Sequence, residues 1–442
     1  MPSTRAAFHE TATLIPVAQH LERVLRSMRH IVVERGSEAV EHVRLADAAG
    51  RTLAASVDAL IASPPFDNSA MDGYAVRWAD VADATPERPV ALTVVADHAA
   101  GSSSAHEAEP LGGGEAARIM TGAPIPTGAD TVVPVERTDG GGDETPGSDV
   151  HRVLIFSAPP IGRHIRRAGE DLRVGDRLLE AGTVLGPRQV AGAATAGHSD
   201  LPVVRMPRVS VVATGSELAE PGEALAPGII PDSNSLLLAG LVREAGCAVT
   251  EVVRMPDDAD LLRAWLEERE PCDAVVFSGG VSVGAYDVVR RVLAKLGTVE
   301  FVRVAMQPGS PQAFGRLADG TPVFGLPGNP VAVAVSFEVF VRPALLTLQG
   351  RTVQRRRVRA EVARGWSSPS GRLQVMPVSF VAPTAEGRAG EEGDAPAVRP
   401  ATSGGAGSHL SGGLAAADGF ALVPEQVERV DPGDVVDVLV LP

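Results

Sequence analysis

Short apolar runs alternate with longer amphipathic segments between residues 206 and 349. The runs have the length of buried strands and cover residues 209–213, 249–253, 274–277, 299–304 and 323–326. Between them, apolar residues recur at helical spacing at 236–244, at 261–266 behind a cap at Asp257 or Asp258, and from Asp287 onward. In the second helix the residues predicted to face inward are Leu261, Leu262, Trp265 and Leu266. Alternating strands and helices predict a doubly wound parallel sheet with helices on both faces.

Three of these predicted strands end in loops that contain glycine. The loops are Thr214-Gly-Ser-Glu-Leu218, Ser278-Gly-Gly-Val-Ser-Val-Gly284 and Pro327-Gly-Asn-Pro330. Glycine lets the backbone approach a ligand closely, and free N–H groups at a helix start attract anions. Their spacing matches neither the dinucleotide fingerprint nor the Walker loop. One such loop is more often an ordinary turn, but three on parallel strands would share one sheet edge and predict a binding site.

The rest of the chain is richer in short strands. Residues 17–28 predict an amphipathic helix, whereas 59–173 predict a small barrel or sandwich with strands at 90–95, 117–120, 131–135 and 153–156. Residues 350–442 predict a small β domain with strands at 358–362, 374–380, 420–423 and 435–441. A helix at 188–196 fits a return connection after the β-rich insertion. The expected domains are a split domain of 14–58 with 174–205, an insertion of 59–173, the α/β domain 206–349 and the C-terminal domain 350–442.

Charge and cysteine content narrow the class of protein. The 442-residue chain has a formal net charge of −15, which argues against nucleic acid or an anionic membrane as the main partner. Its two cysteines, Cys247 and Cys272, make neither a disulfide framework nor a zinc site, which fits a reducing compartment. No apolar run is expected to reach membrane-spanning length, and no signal-peptide pattern is evident. We therefore expect a soluble cytoplasmic protein.

Two polar stretches in the insertion allow more than one interpretation. Residues 64–76 contain Asp67, Asn68, Ser69 and Asp72, which form either an Asx-rich turn or a group that holds a divalent cation or orients a substrate. Residues 163–171 combine three arginines with Glu170 and Asp171. This second stretch is either a solvated salt-bridge network or an anion clamp, since arginine binds phosphate and other oxyanions bidentately.

Six motifs in order resemble one family. They are Phe66-Asp-Asn-Ser-Ala-Met-Asp-Gly-Tyr-Ala-Val76, Arg118-Ile-Met-Thr-Gly-Ala-Pro-Ile-Pro126, Arg166-Arg-Ala-Gly-Glu-Asp171, Thr214-Gly-Ser-Glu-Leu218, Ser278-Gly-Gly-Val-Ser-Val-Gly284 with Asp287, and Leu326-Pro-Gly-Asn-Pro330. Together they resemble the molybdopterin molybdenumtransferases, the family of bacterial MoeA and the gephyrin E domain. The resemblance runs from about residue 14 to the end and is weakest after 350.

The resemblance implies a fold and a reaction. The fold would combine a split linker domain, a β-rich insertion, a molybdopterin-binding α/β domain and a C-terminal β-barrel in a homodimer. The reaction would insert molybdenum from molybdate into adenylylated molybdopterin and release AMP, with Mg²⁺ or another divalent cation. Such chemistry needs charge neutralisation and positioning more than a protein nucleophile. Molybdopterin adenylyltransferase and molybdoenzyme maturation proteins would be further partners.

Matching positions carry the family's functional residues onto this chain. The resemblance implies catalytic roles for Asp72, Thr121, Asp171, Glu217, Asp257 and Asp287. It implies cofactor-binding roles for Arg166, Thr214, Gly279, Gly280, Ser282, Arg303, Pro327, Pro330 and Ser408. It assigns the divalent metal ion to Glu217 and Asp287. In the family, the site lies between the α/β domain of one subunit and the insertion of its partner.

The chain departs from the family pattern around one loop. Where the family shows Lys-Leu-Ala-x-Lys-Pro-Gly-Lys-Pro, this chain has Arg303-Val-Ala-Met-Gln307-Pro-Gly-Ser310-Pro311. One cation survives as Arg303, and an arginine that often follows Gly371-Arg372 is replaced by Pro377. Loss of cations beside an anion site predicts weaker molybdate or phosphate handling. The alternative hypothesis is therefore a weakened paralogue that binds molybdopterin or scaffolds cofactor assembly. A third hypothesis, that the protein is a molybdopterin adenylyltransferase, accounts only for the α/β domain and leaves the other three domains unexplained.

Overall fold

The structure is a computed structural model that describes residues 14–101, 109–140, 151–281, 288–381, 396–402, 407 and 409–442. The chain divides into two compact units. One comprises Met1–Glu41, Gly50–Ala54 and Val203–Pro442, and the other comprises His42–Ala49 and Ala55–Pro202. Each unit is described separately below.

A six-stranded sheet organises the first unit. Its spatial order is Ala248–Met255, Arg208–Thr214, Ala274–Ser278, Pro322–Leu326, Pro311–Arg316 and Glu300–Arg303. The first four strands are mutually parallel, and Pro311–Arg316 runs antiparallel to both of its neighbours. The predicted doubly wound sheet is thus confirmed, with one reversed strand. The three predicted glycine loops follow parallel strands and therefore lie at one edge.

Helices cover both faces of this sheet, as predicted. Their bounds are Asn234–Glu244, Ala259–Glu268, Val288–Leu293 and the continuous stretch Pro330–Ser336, Phe337–Val341 and Arg342–Leu348, whose middle segment is π-helical. Alternate residues of one strand serve the two faces, since Val276 packs in one buried cluster and Phe277 in the other. Asp258 caps the second helix by accepting from the Asp260 and Leu261 amides. The inward prediction was wrong for Leu261, which is 52% exposed. Successive residues of a helix are about 100° apart, so Leu261 lies off the face that Leu262 and Leu266 bury.

The helical stretch Pro330–Leu348 corrects one prediction. It has 19 residues and a mean hydropathy of 1.8, so among the described helices it is long and apolar enough to cross a membrane. The prediction that no apolar run reaches that length was therefore wrong. Because 83% of its apolar window is buried inside the fold, core packing accounts for this composition.

The predicted N-terminal amphipathic helix spans Val17–Arg35. Its buried residues His20, Val24, Met28 and Ile31 recur every three or four positions and therefore form one face. Val24, Met28 and Ile31 join the same apolar cluster as the strand residue Val209. This helix thus packs against the α/β core of the first unit.

The C-terminal part of the first unit contains a closed five-stranded barrel. Its strands, in order around the barrel, are Leu373–Phe380, Ala397–Pro400, Arg357–Val362, Val435–Val440 and Gly419–Val423, and the last pairs with the first. The short strand Met306–Gln307 adds to Leu373–Phe380 in parallel. Smaller elements are Gly36–Ala39, Leu218–Ala219, Ile230–Pro231, Trp366–Ser367, Ser411–Ala415 and Arg429–Val430. The predicted C-terminal barrel is confirmed.

The second unit is built on a five-stranded sheet. Its order is Thr131–Pro134, Gly73–Val76, Glu115–Ile119, Val90–His98 and Arg152–Ile155. Thr138, which follows the edge strand Thr131–Pro134, forms a β-bridge with Ile155 of the other edge strand. This bridge gives the barrel-like closure that the pattern predicted. Other elements are Val40–Arg44, Leu45–Asp47, Val57–Asp58, Asn68–Ser69, Trp78–Val81, Val135–Arg137, Ile165–Arg166, Arg177–Leu179, Pro187–Thr195 and Asp200–Val204.

Candidate functional site

The three glycine loops meet at the carboxyl edge of the α/β sheet. The Gly279 amide donates to the Leu326 carbonyl at 3.0 Å, and the Thr214 hydroxyl donates to the Ser278 carbonyl at 3.1 Å. Gly279 has φ +86°, and a Cβ there would lie 2.7 Å from the Thr214 carbonyl oxygen. Only glycine fits this position without displacing the neighbouring backbone. The loops therefore form one continuous wall.

One cavity at this wall, here named the acidic cavity, has a volume of about 720 Å³. Its polar or charged lining residues are Thr214, Glu217, Asp232, Ser233, Asn234, Asp257, Asn329, His409 and Ser411. Among the described residues that line it, three are carboxylic acids and none is Arg or Lys. The cavity should repel a bare anion and favour cations or hydrogen-bond donors.

A second cavity, here named the arginine cavity, has a volume of about 600 Å³. It is lined by Gly280, Val281, the loop from Met306 to Pro311, Pro327, Gly328, Asn329, Ala332, Arg372, Gly407 and His409. Arg372 is the one arginine in this described lining, and no carboxylic acid belongs to it. This cavity favours an oxyanion. Gly280, Gly328, Asn329 and His409 line both cavities, which therefore adjoin.

Buried polar residues hold the loop of the arginine cavity in place. Gln312 is buried, and its side-chain amide donates to the Gly309 carbonyl at 2.6 Å and to the Ser336 hydroxyl at 2.7 Å. The Ser310 hydroxyl donates to the Val304 carbonyl at 2.9 Å, so this side chain is engaged within its own loop. Gln307 lines the cavity. The family's second and third cations are thus replaced by a neutral amide and an internally bonded hydroxyl.

Two carboxylates of the acidic cavity are suited to a magnesium ion. Ser216 orients Asp257, since its amide donates to Asp257 Oδ2 at 3.3 Å and its hydroxyl accepts from the Asp257 amide at 3.0 Å. Glu217 folds over Gly215, where a Cβ would lie 2.5 Å from Glu217 Oε2. The described residues contain no cluster of three His, Cys, Asp or Glu that could hold a metal alone. Two carboxylates still fit Mg²⁺, which is commonly bound by one or two carboxylates together with substrate phosphates.

In the second unit, Asp72 and Thr121 form a polar pair. The Thr121 amide and hydroxyl donate to Asp72 Oδ1 at 2.7 and 2.8 Å. The backbone donor first and the hydroxyl second lower the pKa of the exposed Asp72 carboxyl. The carboxylate therefore stays ionised to lower pH than an isolated aspartate.

The arginine-rich stretch of this unit lies beside the same loop. Asn68–Ser69 pairs with Ile165–Arg166, so Arg166 is opposite Asn68, and the Arg166 side chain is exposed. Asp67 accepts from the Ala168 amide at 2.8 Å and from Arg167 at 2.6 Å, and these contacts lower its pKa. Asp67 and Arg167 thus follow the salt-bridge interpretation. Arg166 and Asp171 keep exposed side chains.

Family models match almost the whole chain. The MoeA N-terminal region (domain I and II) matches residues 15–197, the probable molybdopterin binding domain matches 210–347, and the MoeA C-terminal region (domain IV) matches 359–441. Molybdopterin molybdenumtransferase 2 of Mycobacterium tuberculosis is 42% identical over 404 residues, which cover 90% of this chain and 94% of that relative. The chain belongs to the molybdopterin molybdenumtransferase family.

Other family members and solved structures agree. Molybdopterin molybdenumtransferase 1 of Mycobacterium tuberculosis is 36% identical over 417 residues, covering 90% of this chain and 94% of that relative. Two structures of the MoeA protein from Pyrococcus horikoshii cover 97% of this chain and 99% or 100% of their own, with TM-scores of 0.76 and 0.74 at 32% and 27% identity. These relatives do not favour the hypothesis of a weakened paralogue.

The structure distributes the family positions unevenly. Thr214, Glu217, Asp257, Gly279, Gly280 and Pro330 line the acidic cavity, and Gly280 and Pro327 line the arginine cavity. Arg303 is exposed and lines neither cavity; its carbonyl accepts from the Ile15 amide at 2.8 Å. Ser282, Asp287 and Ser408 lie outside the described residues.

Sequence reasoning missed several cavity residues, namely Asp232, Asn234, Asn329, Arg372 and His409. The signal for the first two was the polar loop 231–234, whose turn-forming residues follow a glycine motif. Arg372 and His409 come from the C-terminal part of the chain, where strand patterns reveal the barrel but not which loops reach the sheet edge.

Proposed function

We propose that this protein inserts molybdenum from molybdate into adenylylated molybdopterin and releases AMP. In this reaction the phosphoanhydride of the adenylyl group is cleaved, and molybdate exchanges oxygen for the two sulfurs of the pterin dithiolene. Hydrolysis of the phosphoanhydride consumes one water. One molybdate oxygen leaves as water with the two thiol protons as the two Mo–S bonds form, so the overall reaction is balanced in water. The protein supplies positions and charges rather than a nucleophile.

The pair of adjoining cavities of opposite character carries this proposal. The acidic cavity offers carboxylates and neutral acceptors, whereas the arginine cavity offers Arg372 without any acidic neighbour among its described lining. A substrate anchored in the first cavity and an oxyanion held in the second would meet at the shared wall of Gly280, Gly328, Asn329 and His409. Holding two reactants in such proximity replaces a bimolecular encounter by an intramolecular one.

A divalent cation, which we take to be Mg²⁺, would be held by Glu217 and Asp257, with Asp287 as a further ligand. When bound, Mg²⁺ would neutralise phosphate charge in a cavity that has no arginine or lysine among its described lining. Ser216 then acts as an orienting residue, because its two hydrogen bonds fix the Asp257 carboxylate. Asp257 and Glu217 would thus act on the substrate phosphates through the cation that they hold.

The second unit supplies further residues to the reaction in this proposal. Asp72, Thr121, Arg166 and Asp171 would act in a homodimer, where the resemblance places the insertion of one subunit at the partner's site. Support comes from the Asp72–Thr121 pair and from the Arg166 side chain. The Arg166 side chain is exposed and forms no ion pair with any described residue. We propose the cytoplasm as the compartment, since Cys247 and Cys272 are free thiols.

Single-turnover release of AMP tests the proposal. Purified protein is mixed with adenylylated molybdopterin, and AMP is measured with and without molybdate and Mg²⁺. We expect AMP release that requires both ions and is lost in Asp287→Ala. Tight pterin binding with no AMP release at any molybdate concentration would contradict the proposal.

A further inference from the structure

Two buried hydrogen-bond acceptors on one loop of the acidic cavity have no partner. Asp232 is 1% exposed and Asn234 is 8% exposed, yet both line the cavity. Asp232 Oδ2 and Asn234 Oδ1 make no hydrogen bond to any described residue. Such atoms are rare in folded proteins, and each one needs a physical reason.

Both side chains are held in fixed orientations by their other atoms. Asp232 Oδ1 accepts from the Ser235 amide at 3.0 Å, and the Asp232 amide donates to the Ala219 carbonyl at 2.9 Å. Asn234 Nδ2 donates to the Gly328 carbonyl at 2.6 Å, which identifies the remaining atom as the carbonyl oxygen. Each of the two oriented side chains therefore keeps one oxygen as an unpartnered, preorganised acceptor.

These acceptors call for a ligand that carries hydrogen-bond donors. A buried acceptor without a donor costs about 1–3 kcal/mol, and a buried carboxylate costs more. The described lining of this cavity offers no arginine or lysine that could compensate Asp232. A phosphate group offers only acceptors, and adenine offers a donor beside an acceptor. A pterin ring offers two adjacent donors, the N3–H and the C2 amino group.

We infer that Asp232 and Asn234 bind the 2-amino-4-oxo edge of the pterin ring and so select pterin over other heterocycles. This inference rests on the proposed function, because that function supplies a pterin substrate. The Asp232 carboxylate accepts from N3–H and from the amino group, as carboxylates do with paired donors, and Asn234 Oδ1 accepts the second amino hydrogen. Asn234 also contacts Gly328 of the wall shared by the two cavities, so ring recognition is tied to that wall.

Binding of pterin and lumazine to the full-length protein tests the inference. Lumazine has the same fused rings but carries oxygen in place of the C2 amino group. By fluorescence titration we expect the wild type to bind pterin at least about tenfold more tightly than lumazine, because the oxygen would face a carboxylate. In Asp232→Asn the amide NH₂ takes the place of Oδ2, so we expect pterin binding to weaken and lumazine binding to improve. Asn still accepts from the Ser235 amide, and a thermal melt checks the fold.

Asp257→Asn is the matched control, since it removes a carboxylate from the same cavity. Its preference between pterin and lumazine should equal that of the wild type. Equal affinity of the wild type for both rings, absence of saturable pterin binding, or an unchanged preference in Asp232→Asn would overturn the inference. AMP release separates the two proposals: turnover without ring discrimination refutes only this inference, and discrimination without turnover refutes only the proposed function.

Discussion

The acidic cavity and the arginine cavity share a wall but differ in how their charge is arranged. The acidic cavity takes its polar groups from loops of the sheet edge, including Glu217, Asp232 and Asp257. The arginine cavity combines the loop from Met306 to Pro311 with Arg372, Gly407 and His409 near the barrel. The first is thus built mainly within the α/β fold, whereas the second depends on two parts of the chain that meet.

This contrast explains why the departures from the family pattern at Gln307 and Ser310 fall in the arginine cavity. At the sheet edge, Gly279 is required by close approach to the Thr214 backbone, and Gly215 leaves the space that the Glu217 carboxylate occupies. Gln307 and Ser310 belong to the other cavity, where Arg372 remains to offer positive charge. A cation can be exchanged for a neutral group if another cation reaches the same oxyanion, because charge attraction is not directional. The comparison predicts separate effects of mutations in the two cavities.

The largest effect should follow from Gly279→Ala. A methyl group would lie 2.7 Å from the Thr214 carbonyl oxygen, so the wall must shift. We expect AMP release in a single turnover to fall at least about 100-fold, since displacement of reacting groups by about 1 Å costs this much.

Gly320→Ala is the control for backbone strain, because Gly320 has φ +85° and nothing within 4 Å of the added methyl group. It should cost about 1 kcal/mol of unfolding free energy and leave AMP release unchanged. Normal turnover in Gly279→Ala would show that the wall does not position the reactants.

Arg372→Met should specifically weaken the arginine cavity. We expect the molybdate concentration for half-maximal AMP release to rise roughly 10- to 100-fold, because a hydrogen bond to a charged group is lost. Arg372→Lys should recover part of the effect, since it keeps the charge but not the planar fork. Pterin binding, measured by fluorescence, should stay as in the wild type. If Arg372→Met also weakened pterin binding, molybdate and pterin could not be assigned to separate cavities.

Asp257→Asn should raise the Mg²⁺ requirement. One of the proposed anionic ligands is lost, so we expect half-maximal AMP release to need about tenfold more Mg²⁺. Asp258→Asn provides the control, because Asp258 caps the neighbouring helix, does not line the cavity, and Asn caps equally well. An equal Mg²⁺ dependence of the two variants would argue that Asp257 does not hold the ion.

Gln307→Lys should have the smallest effect and the opposite sign. A lysine at this cavity position adds a positive charge, which we expect to lower the half-saturating molybdate concentration by about threefold. Gln307→Met changes the side chain without adding charge and should produce no decrease. If Gln307→Lys weakens molybdate binding, the oxyanion does not lie in the arginine cavity.

The sequence predicted the α/β fold because strand and helix periods differ clearly. Runs such as 274–277 are buried on both faces, and the helices between them show one apolar side, so pattern alone gave the layers and the shared edge. Leu261 is the exposed residue among those predicted to face inward on its helix. Apolar spacing therefore did not identify which residues are buried in the first turn of this helix. The strand Pro311–Arg316 is antiparallel to Pro322–Leu326, to which the short turn containing Gly320 connects it.

The site was predicted only in part, because a motif gives a position along the chain but not a side-chain direction. Arg303 occupies the family's cation position, but its exposed side chain lines neither described cavity. Asp232 lies in the polar loop 231–234, and the binding role that we infer for it rests on its burial without a full set of partners. Arg372 required the tertiary contact of Met306–Gln307 with Leu373–Gln374, which no local pattern contains.

The wall shared by the two cavities has a thermodynamic consequence. The Gly328 carbonyl accepts from Asn234, and Gly328 lies beside Gly279, so one segment of the wall lines both cavities. If pterin binding orders this segment, and if molybdate binds the ordered form with a different affinity, the two binding events are coupled. Linkage requires the reverse effect to be equal in free energy. We therefore expect molybdate to change pterin affinity by the same factor as pterin changes molybdate affinity, whichever ligand arrives first.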